Sequence, residues 1–309
     1  MLRLYLTFTP VTGDTMSPTT MAMPAGVALY PGRGNLDHLT IDTPACTGEM
    51  YLHGAHVCAW GPRGGEPVIW MSAGSAFEAG RPIRGGVPLC FPWFGPHPTN
   101  PGRAPHGFAR LLRWTLDRVA RDGDAVTVTL SLRNDAEFDD LWPHRCALTY
   151  TASFGRELAL ELAVRNVGAT ACPVQEALHT YIAVGDIRQL AIEGLAGVTY
   201  VDKMRGGERF VQDAAPLRFT GETDRPYLDT DAAVTIVDAA WKRRVVVEKD
   251  GSRTTVVWNP WLAKAKAMPD FGDDEWPLMV CVEAANALDN AYVLAPGTEH
   301  RLCTRIRVE

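Results

Sequence analysis

Long apolar runs are absent from the 309-residue chain, and a helix that crosses a bilayer needs roughly 20 consecutive apolar residues. The first residues also lack the ordered series of charged, apolar and small-residue regions that marks a secretory signal. We therefore expect a cytoplasmic protein without a membrane partner. Residues 1–24 are predicted to form a disordered leader and residues 25–309 a single domain, because no linker divides them.

Closely spaced cysteine pairs and a strong charge are also missing. The seven cysteines are odd in number, widely spread and without CxxC spacing, so neither a disulfide framework nor a zinc cluster is expected. The net charge is −6 and the basic residues are scattered, which argues against nucleic acid as a partner. A small anion is still compatible with this balance, because a few converging arginines can act against the overall sign.

Helical periodicity is scarce, whereas short runs of alternating apolar and polar residues recur along the whole chain. These runs are bounded by Gly, Pro, Asp or Asn, as half-buried strands are. Examples are residues 39–42, 49–53, 125–132, 148–154, 157–165, 191–193, 234–237, 244–248, 254–258, 279–283, 291–294 and 300–308. Gly155 and Arg156 between two of these runs indicate a hairpin. We predict an all-β, monomeric protein built as a large antiparallel β-sandwich.

Residues 84–97 and 106–110 (RGGVPLCFPWFGPH and HGFAR) are too rich in Gly and Pro for a regular helix or a central strand. They predict a rigid looping wall with aromatic faces. Arg84 and Arg110 stand at its two ends, and two guanidinium forks brought together would bind phosphate or carboxylate. The alternative is a pair of ordinary surface arginines that form salt bridges with Asp or Glu.

Four further residues are candidates for the site, one within the wall and three beyond it. A histidine can donate or take a proton near pH 7, which makes His106 and His179 candidates for acid–base catalysis, although each alone is more often a structural histidine. Glu283 ends an apolar strand and is either a desolvated base or an edge residue in solvent. Asp224 can accept hydrogen bonds from substrate hydroxyls or cap a turn. No HExxH motif or carboxylate triad accompanies the histidines, so no metal is expected.

Read together, these segments resemble the hexose-6-phosphate 1-epimerase family, within the wider aldose 1-epimerase-like superfamily. The similar stretches occur in the family's order from about residue 30 to the C-terminus. They are 54–60 (GAHVCAW), 83–88 (IRGGVP), 91–96 (FPWFGP), 106–110 (HGFAR), 178–181 (LHTY), 222–225 (ETDR), 257–261 (VWNPW), 270–274 (DFGDD) and 282–285 (VEAA).

The resemblance implies a galactose-mutarotase-like supersandwich that uses neither a cofactor nor a metal. It implies interconversion of the α and β anomers of a hexose 6-phosphate, with glucose 6-phosphate as the expected substrate. Glu283 would take the proton of the anomeric hydroxyl while His179 protonates the ring oxygen. The ring would then open, rotate about C1–C2 and close on its other face.

The resemblance also gives the binding residues. His106 would contact the region of the ring oxygen, Asp224 would hold sugar hydroxyls, and Arg84 and Arg110 would bind the 6-phosphate. One departure concerns Pro105, which stands where many relatives have a glutamine that contacts substrate. The preferred hydroxyl pattern therefore need not be that of glucose 6-phosphate.

Two other functions fit the same residues. A non-catalytic phosphosugar-binding protein would need the arginines without the acid–base pair. A glycoside hydrolase or lyase would need two carboxylates about the scissile bond, for which Glu283 and Asp224 are the candidates.

Overall fold

A computed structural model describes residues 21–134, 138 and 140–309. Most of the predicted leader, residues 1–20, lies outside the described residues. The described part contains β1 (Val27–Pro31), β2 (Asp37–Asp42), β3 (Cys46–Tyr51), β4 (His56–Pro62), β5 (Leu89–Cys90), β6 (Thr115–Asp122), β7 (Ala125–Arg133), β8 (Cys146–Phe154), β9 (Leu158–Asn166), β10 (Cys172–Val174), β11 (Glu176–Leu178), β12 (Tyr181–Ala183), β13 (Leu190–Glu193), β14 (Thr199–Asp202), β15 (Glu208–Val211), β16 (Thr223–Tyr227), β17 (Val234–Asp238), β18 (Arg243–Asp250), β19 (Thr254–Asn259), β20 (Met279–Asn286), β21 (Tyr292–Leu294), β22 (Glu299–Val308), one α-helix, α1 (Trp261–Ala267), and several short 3-10 helices.

Two eight-stranded sheets dominate the fold. One has the order β15-β14-β16-β19-β20-β11-β5, with β12 also paired to β20, and the other has the order β13-β17-β18-β22-β9-β8-β7-β6. Strands β1 to β4 form a smaller sheet, and β10 pairs with β21. The pairings within these sheets are antiparallel. The predicted all-β antiparallel fold is confirmed.

The local turn chemistry agrees with the sequence. Phe154 of β8 pairs with Leu158 of β9, so the predicted hairpin forms around Gly155 and Arg156.

Within the described residues, no helix has the length and apolar character that a membrane span requires.

A single cluster of buried apolar side chains joins the sheets. Leu148 and Leu160 come from one eight-stranded sheet, Val280 and Val282 from the other, and Trp60 from the four-stranded sheet. Because side chains alternate along a strand, Cys281 and Glu283, which alternate with these valines, must project from the opposite face of their sheet. That opposite face carries the candidate site.

The Gly- and Pro-rich wall lies at the edge of the same sheet, where it contributes only the two-residue strand β5. Gly86 and Gly107 have φ values of 65° and 72°, which side-chain-bearing residues rarely adopt. A Cβ at Gly86 would overlap the Val57 carbonyl, and one at Gly107 would overlap the Phe91 carbonyl. The glycines thus allow the wall to pack directly on neighbouring backbone.

Candidate active site

Strand β20 supplies two faces with different tasks. Val280, Val282 and Ala284 pack into the main core. Cys281 and Glu283 alternate with them and point to the other side, where Cys281 belongs to a separate small cluster. The carboxylate is therefore directed out of the core by strand periodicity, yet it is only 1% exposed.

The neighbouring strands place further side chains on that face. Cys281 lies opposite Trp258 of β19 and opposite Tyr181 of β12. Asp224 of β16 lies opposite Trp258. Directly opposed residues of antiparallel strands project to the same side. Cys281, Trp258, Tyr181 and Asp224 therefore share one face with Glu283, which is two residues from Cys281.

His179 occupies the connection between β11 and β12 and meets the carboxylate. Its Nε2 atom is 3.4 Å from Oε1 of Glu283. Its ring stacks on that of Tyr181, with centroids 5.0 Å apart and planes 12° apart. A separation of 3.4 Å is a contact rather than a good hydrogen bond, so both groups keep lone pairs for a ligand.

Burial sets the charge state of this pair. Burial raises the pKa of Glu283 well above its ordinary value, the charge of Asp224 raises it further, and Lys203 partly opposes this shift. Burial lowers the pKa of His179 well below its ordinary value, and the positive charge of Arg110 adds to the effect. Both shifts favour the uncharged forms, a protonated carboxyl beside a neutral imidazole, over an ion pair.

His106 contacts His179 from the side, with ring centroids 5.5 Å apart in an edge-on arrangement. Its Nδ1 atom accepts a hydrogen bond from the Gly95 N–H at 3.3 Å and lies 3.5 Å from the Cys90 sulfur. Burial lowers the pKa of His106, and nearby Arg110 adds to this. A neutral ring whose Nδ1 accepts must carry its proton on Nε2, which makes Nε2 a donor.

The two arginines of the wall are in different situations. Arg84 donates to the Tyr181 hydroxyl at 3.1 Å and to Oδ2 of Asp270 at 3.1 Å. Arg84 therefore forms a salt bridge with an aspartate, as the alternative hypothesis for the two arginines expected, although this bridge is largely buried and not on the surface. Arg110 is 7% exposed and donates to the Pro105 carbonyl at 2.7 Å. Neither Nε atom has a partner among the described residues.

Sequence reasoning missed Lys203 and the role of Asp270. Lys203 follows β14, and its Nζ atom is 3.0 Å from Oδ1 of Asp224 and 5.4 Å from the centre of the Phe94 ring. Nothing in the local sequence marks Lys203, because it stands in an ordinary charged stretch. Asp270 belongs to the DFGDD stretch, so the resemblance of this stretch to the family could have marked it as a site residue. Asp224 is therefore an ion-pair partner as well as a candidate hydroxyl ligand.

A groove of about 380 Å³ lies elsewhere, on the outer face of the second eight-stranded sheet. Three of its charged lining residues form ion pairs: Glu161 with Arg301, Glu248 with Arg307, and Arg305 with Glu157. Such solvated ion pairs are typical of an ordinary sheet surface. The perturbed acid–base pair identifies the face of Glu283 as the better candidate site.

Comparison with known proteins places the chain in a family. The aldose 1-epimerase family matches residues 37–307. A protein of Cenchrus ciliaris, provisionally named glucose-6-phosphate 1-epimerase, is 36% identical over 265 residues, which are 83% of this chain and 79% of that protein. An Escherichia coli K12 protein with the same provisional name is 36% identical over 273 residues, which are 88% of this chain and 90% of that protein.

Solved structures show the same fold. A provisional mutarotase, YeaD, from Salmonella typhimurium superposes with a TM-score of 0.87 at 32% identity, over 93% of this chain and 95% of that one. A galactose mutarotase-like protein from Clostridium acetobutylicum gives a TM-score of 0.72 at 13% identity, over 92% and 98% of the two chains, and supports the fold alone. The chain belongs to the aldose 1-epimerase family and has the galactose mutarotase-like fold.

Proposed function

We propose that the protein is an isomerase that interconverts the α and β anomers of a hexose 6-phosphate. The observation that carries this proposal is the buried contact between His179 and Glu283, which places an imidazole and a carboxyl on one face with opposite pKa shifts. The provisional names of the relatives point to glucose 6-phosphate as the first substrate to test.

The reaction requires one acid, one base and one proton shared between them. With His179 protonated and Glu283 ionised, the carboxylate removes the proton of the anomeric hydroxyl while the imidazolium protonates the ring oxygen. The bond between C1 and the ring oxygen breaks, and an aldehyde forms. The pair is then neutral, with the proton on the carboxyl.

That neutral state is the one favoured by burial in this structure, so it corresponds to the stage at which the ring is open. Rotation about C1–C2 presents the other face of the aldehyde. The C5 hydroxyl then attacks C1, its proton returns to His179, and the carboxyl returns its proton to the new anomeric oxygen. Acid–base assistance of this kind is worth roughly 10²–10⁴-fold for each group.

The cationic groups supply a means of binding the phosphate. In this proposal Arg110, whose buried guanidinium has an Nε atom without a partner among the described residues, binds the 6-phosphate together with Arg84. His106 offers its Nε2 proton near the ring oxygen, and Asp224 accepts from sugar hydroxyls. Pro105 gives only its carbonyl to Arg110, so it positions the arginine instead of contacting the sugar.

The deciding experiment measures anomer exchange of glucose 6-phosphate by NMR, with a panel of free and 6-phosphorylated hexoses for specificity. The variant Glu283→Gln should lose the protein-dependent exchange and keep phosphosugar binding. A matched control is Glu176→Gln, because Glu176 is also a fully buried glutamate beside a histidine, with its Oε1 3.3 Å from Nε2 of His300.

We expect Glu176→Gln to retain exchange wherever it stays folded. Binding of the phosphosugar by the unmodified protein without any exchange would instead support a non-catalytic binding protein. Release of reducing ends from an oligosaccharide would support a hydrolase.

A further inference from the structure

Cys281 joins the proposed catalytic pair, so that three side chains of different chemistry converge on this face. One ligand atom each from His179, Cys281 and Glu283 lies within 4.8 Å of the other two. Cys281 and Glu283 are two residues apart on β20 and so project from the same face, while His179 enters from the loop above. An imidazole, a thiolate and a carboxylate together form a donor set that suits zinc and similar ions.

A second observation points to a ligand at this place. The Nδ1 atom of His179 and the Oε2 atom of Glu283 are buried and have no hydrogen-bond partner among the described residues. The two residues are 9% and 1% exposed. Buried polar atoms without partners are uncommon and costly, so an electron-pair acceptor placed here would satisfy groups that the protein leaves open.

We propose that this face binds one divalent ion of the zinc class through Cys281, His179 and Glu283, and that the bound ion blocks the acid–base pair. On binding, the Cys281 thiol and the Glu283 carboxyl each release a proton to solvent, so that both bind the ion as anions. The two negative ligands then offset the charge of the ion, which lets it enter a face that also carries Arg84, Arg110 and Lys203. Three protein ligands leave one position for water.

The ion would be an inhibitor and not a cofactor. A nitrogen lone pair or a carboxylate oxygen held by the metal can no longer accept or return a proton, so exchange stops while the metal is bound. This consequence rests on the proposed function, whereas metal binding itself does not. Magnesium should have no such effect, because it prefers oxygen ligands and does not use a thiolate.

Cobalt(II) is the suitable probe, since a cobalt–thiolate bond gives an intense charge-transfer absorption that oxygen and nitrogen ligands do not. Reduced protein without an affinity tag is titrated with Co²⁺, and the absorption should saturate at one equivalent. Cys281→Ser should abolish it. Cys303→Ser is the matched control and should retain it, because Cys303 lies on the outer face of the other large sheet.

The activity arm uses buffered Zn²⁺. Exchange by the unmodified protein and by Cys303→Ser should fall at least tenfold in Zn²⁺, while Cys281→Ser should be unaffected. Should the serine variant misfold by circular dichroism, Cys281→Ala replaces it.

Absence of the absorption in the unmodified protein, or its persistence in a folded Cys281 variant, overturns the proposal. If the metal-free protein shows no anomer exchange, the proposed function fails, and the cobalt spectrum still decides the metal site.

Discussion

Lys203 holds Asp224 in an ion pair, with Nζ 3.0 Å from Oδ1, and both groups act on the pKa of Glu283 in opposite directions. Asp224 raises that pKa and Lys203 lowers it. The ion pair therefore adjusts the basicity of a carboxylate that belongs to a different strand.

Substituting the two members of this ion pair should shift the pH profile of exchange in opposite directions. Lys203→Met should shift the alkaline limb of the pH profile of exchange to higher pH, because the loss of a positive charge makes Glu283 harder to ionise. Asp224→Asn should shift the same limb to lower pH. The measurement is the rate of protein-dependent exchange against pH, after subtraction of the buffer-catalysed rate. Shifts of equal sign would show that the ion pair does not act on Glu283.

The pH profile of the unmodified protein should have a wide plateau. The working pair carries one proton, and burial raises the pKa of Glu283 while it lowers that of His179. The pair should therefore take up a second proton only at a pH below the ordinary pKa of histidine. It should lose its one proton only at a pH well above the ordinary pKa of a carboxyl group. Measurements of kcat/KM from pH 5 to 10 would test this, and a narrow maximum near pH 6.5 would contradict it.

Arginine substitution should separate phosphorylated from free sugars. Arg110→Met should weaken binding of a hexose 6-phosphate by about 1.5–3 kcal/mol, the usual contribution of a hydrogen bond to a charged group. This corresponds to roughly 10- to 100-fold in affinity. Affinity for the free hexose should change little.

The matched control for Arg110→Met is Arg113→Met, because Arg113 is a nearby, largely exposed arginine whose partner is Asp37 at 2.8 Å. Equal losses for free and phosphorylated sugar in Arg110→Met would remove Arg110 from phosphate binding.

Glu283→Gln should stabilise the protein at alkaline pH. The folded-state pKa of Glu283 is raised, so its contribution to stability is complete below the ordinary value of 4.5 and is lost as the pH rises toward the folded-state pKa. A neutral glutamine avoids this loss. The gain in the free energy of unfolding should grow between pH 5 and pH 8. It should amount to on the order of 1 kcal/mol for each tenfold difference in proton affinity of Glu283 between the folded and unfolded states.

Urea denaturation of Glu283→Gln at the two pH values measures this gain. Glu176→Gln should behave differently, because Glu176 raises the pKa of His300 and so stabilises the protein most at acid pH. A gain for Glu283→Gln that is independent of pH would contradict the linkage.

Much of the fold was predictable from the sequence, since alternation in segments such as 148–154 and 157–165 gave strands β8 and β9 and the turn between them. Helix α1 was not predictable, because it buries only Ala265 and therefore has no periodic apolar stripe. Candidate residues were found where a motif isolates them, as with His179 and Glu283. Lys203 was missed because its significance depends on the pairing of β14 with β16, which local sequence does not specify.

The alternation of β20 has a consequence for how the chain can change. Deleting one residue before Glu283 would turn its carboxylate into the hydrophobic core and a core valine toward the site. Deleting two residues would keep the core residues and the site residues on their present faces. All side chains of β20 therefore change faces together when the strand shifts by one residue. Only a change of an even number of residues keeps Glu283 on the face of the site.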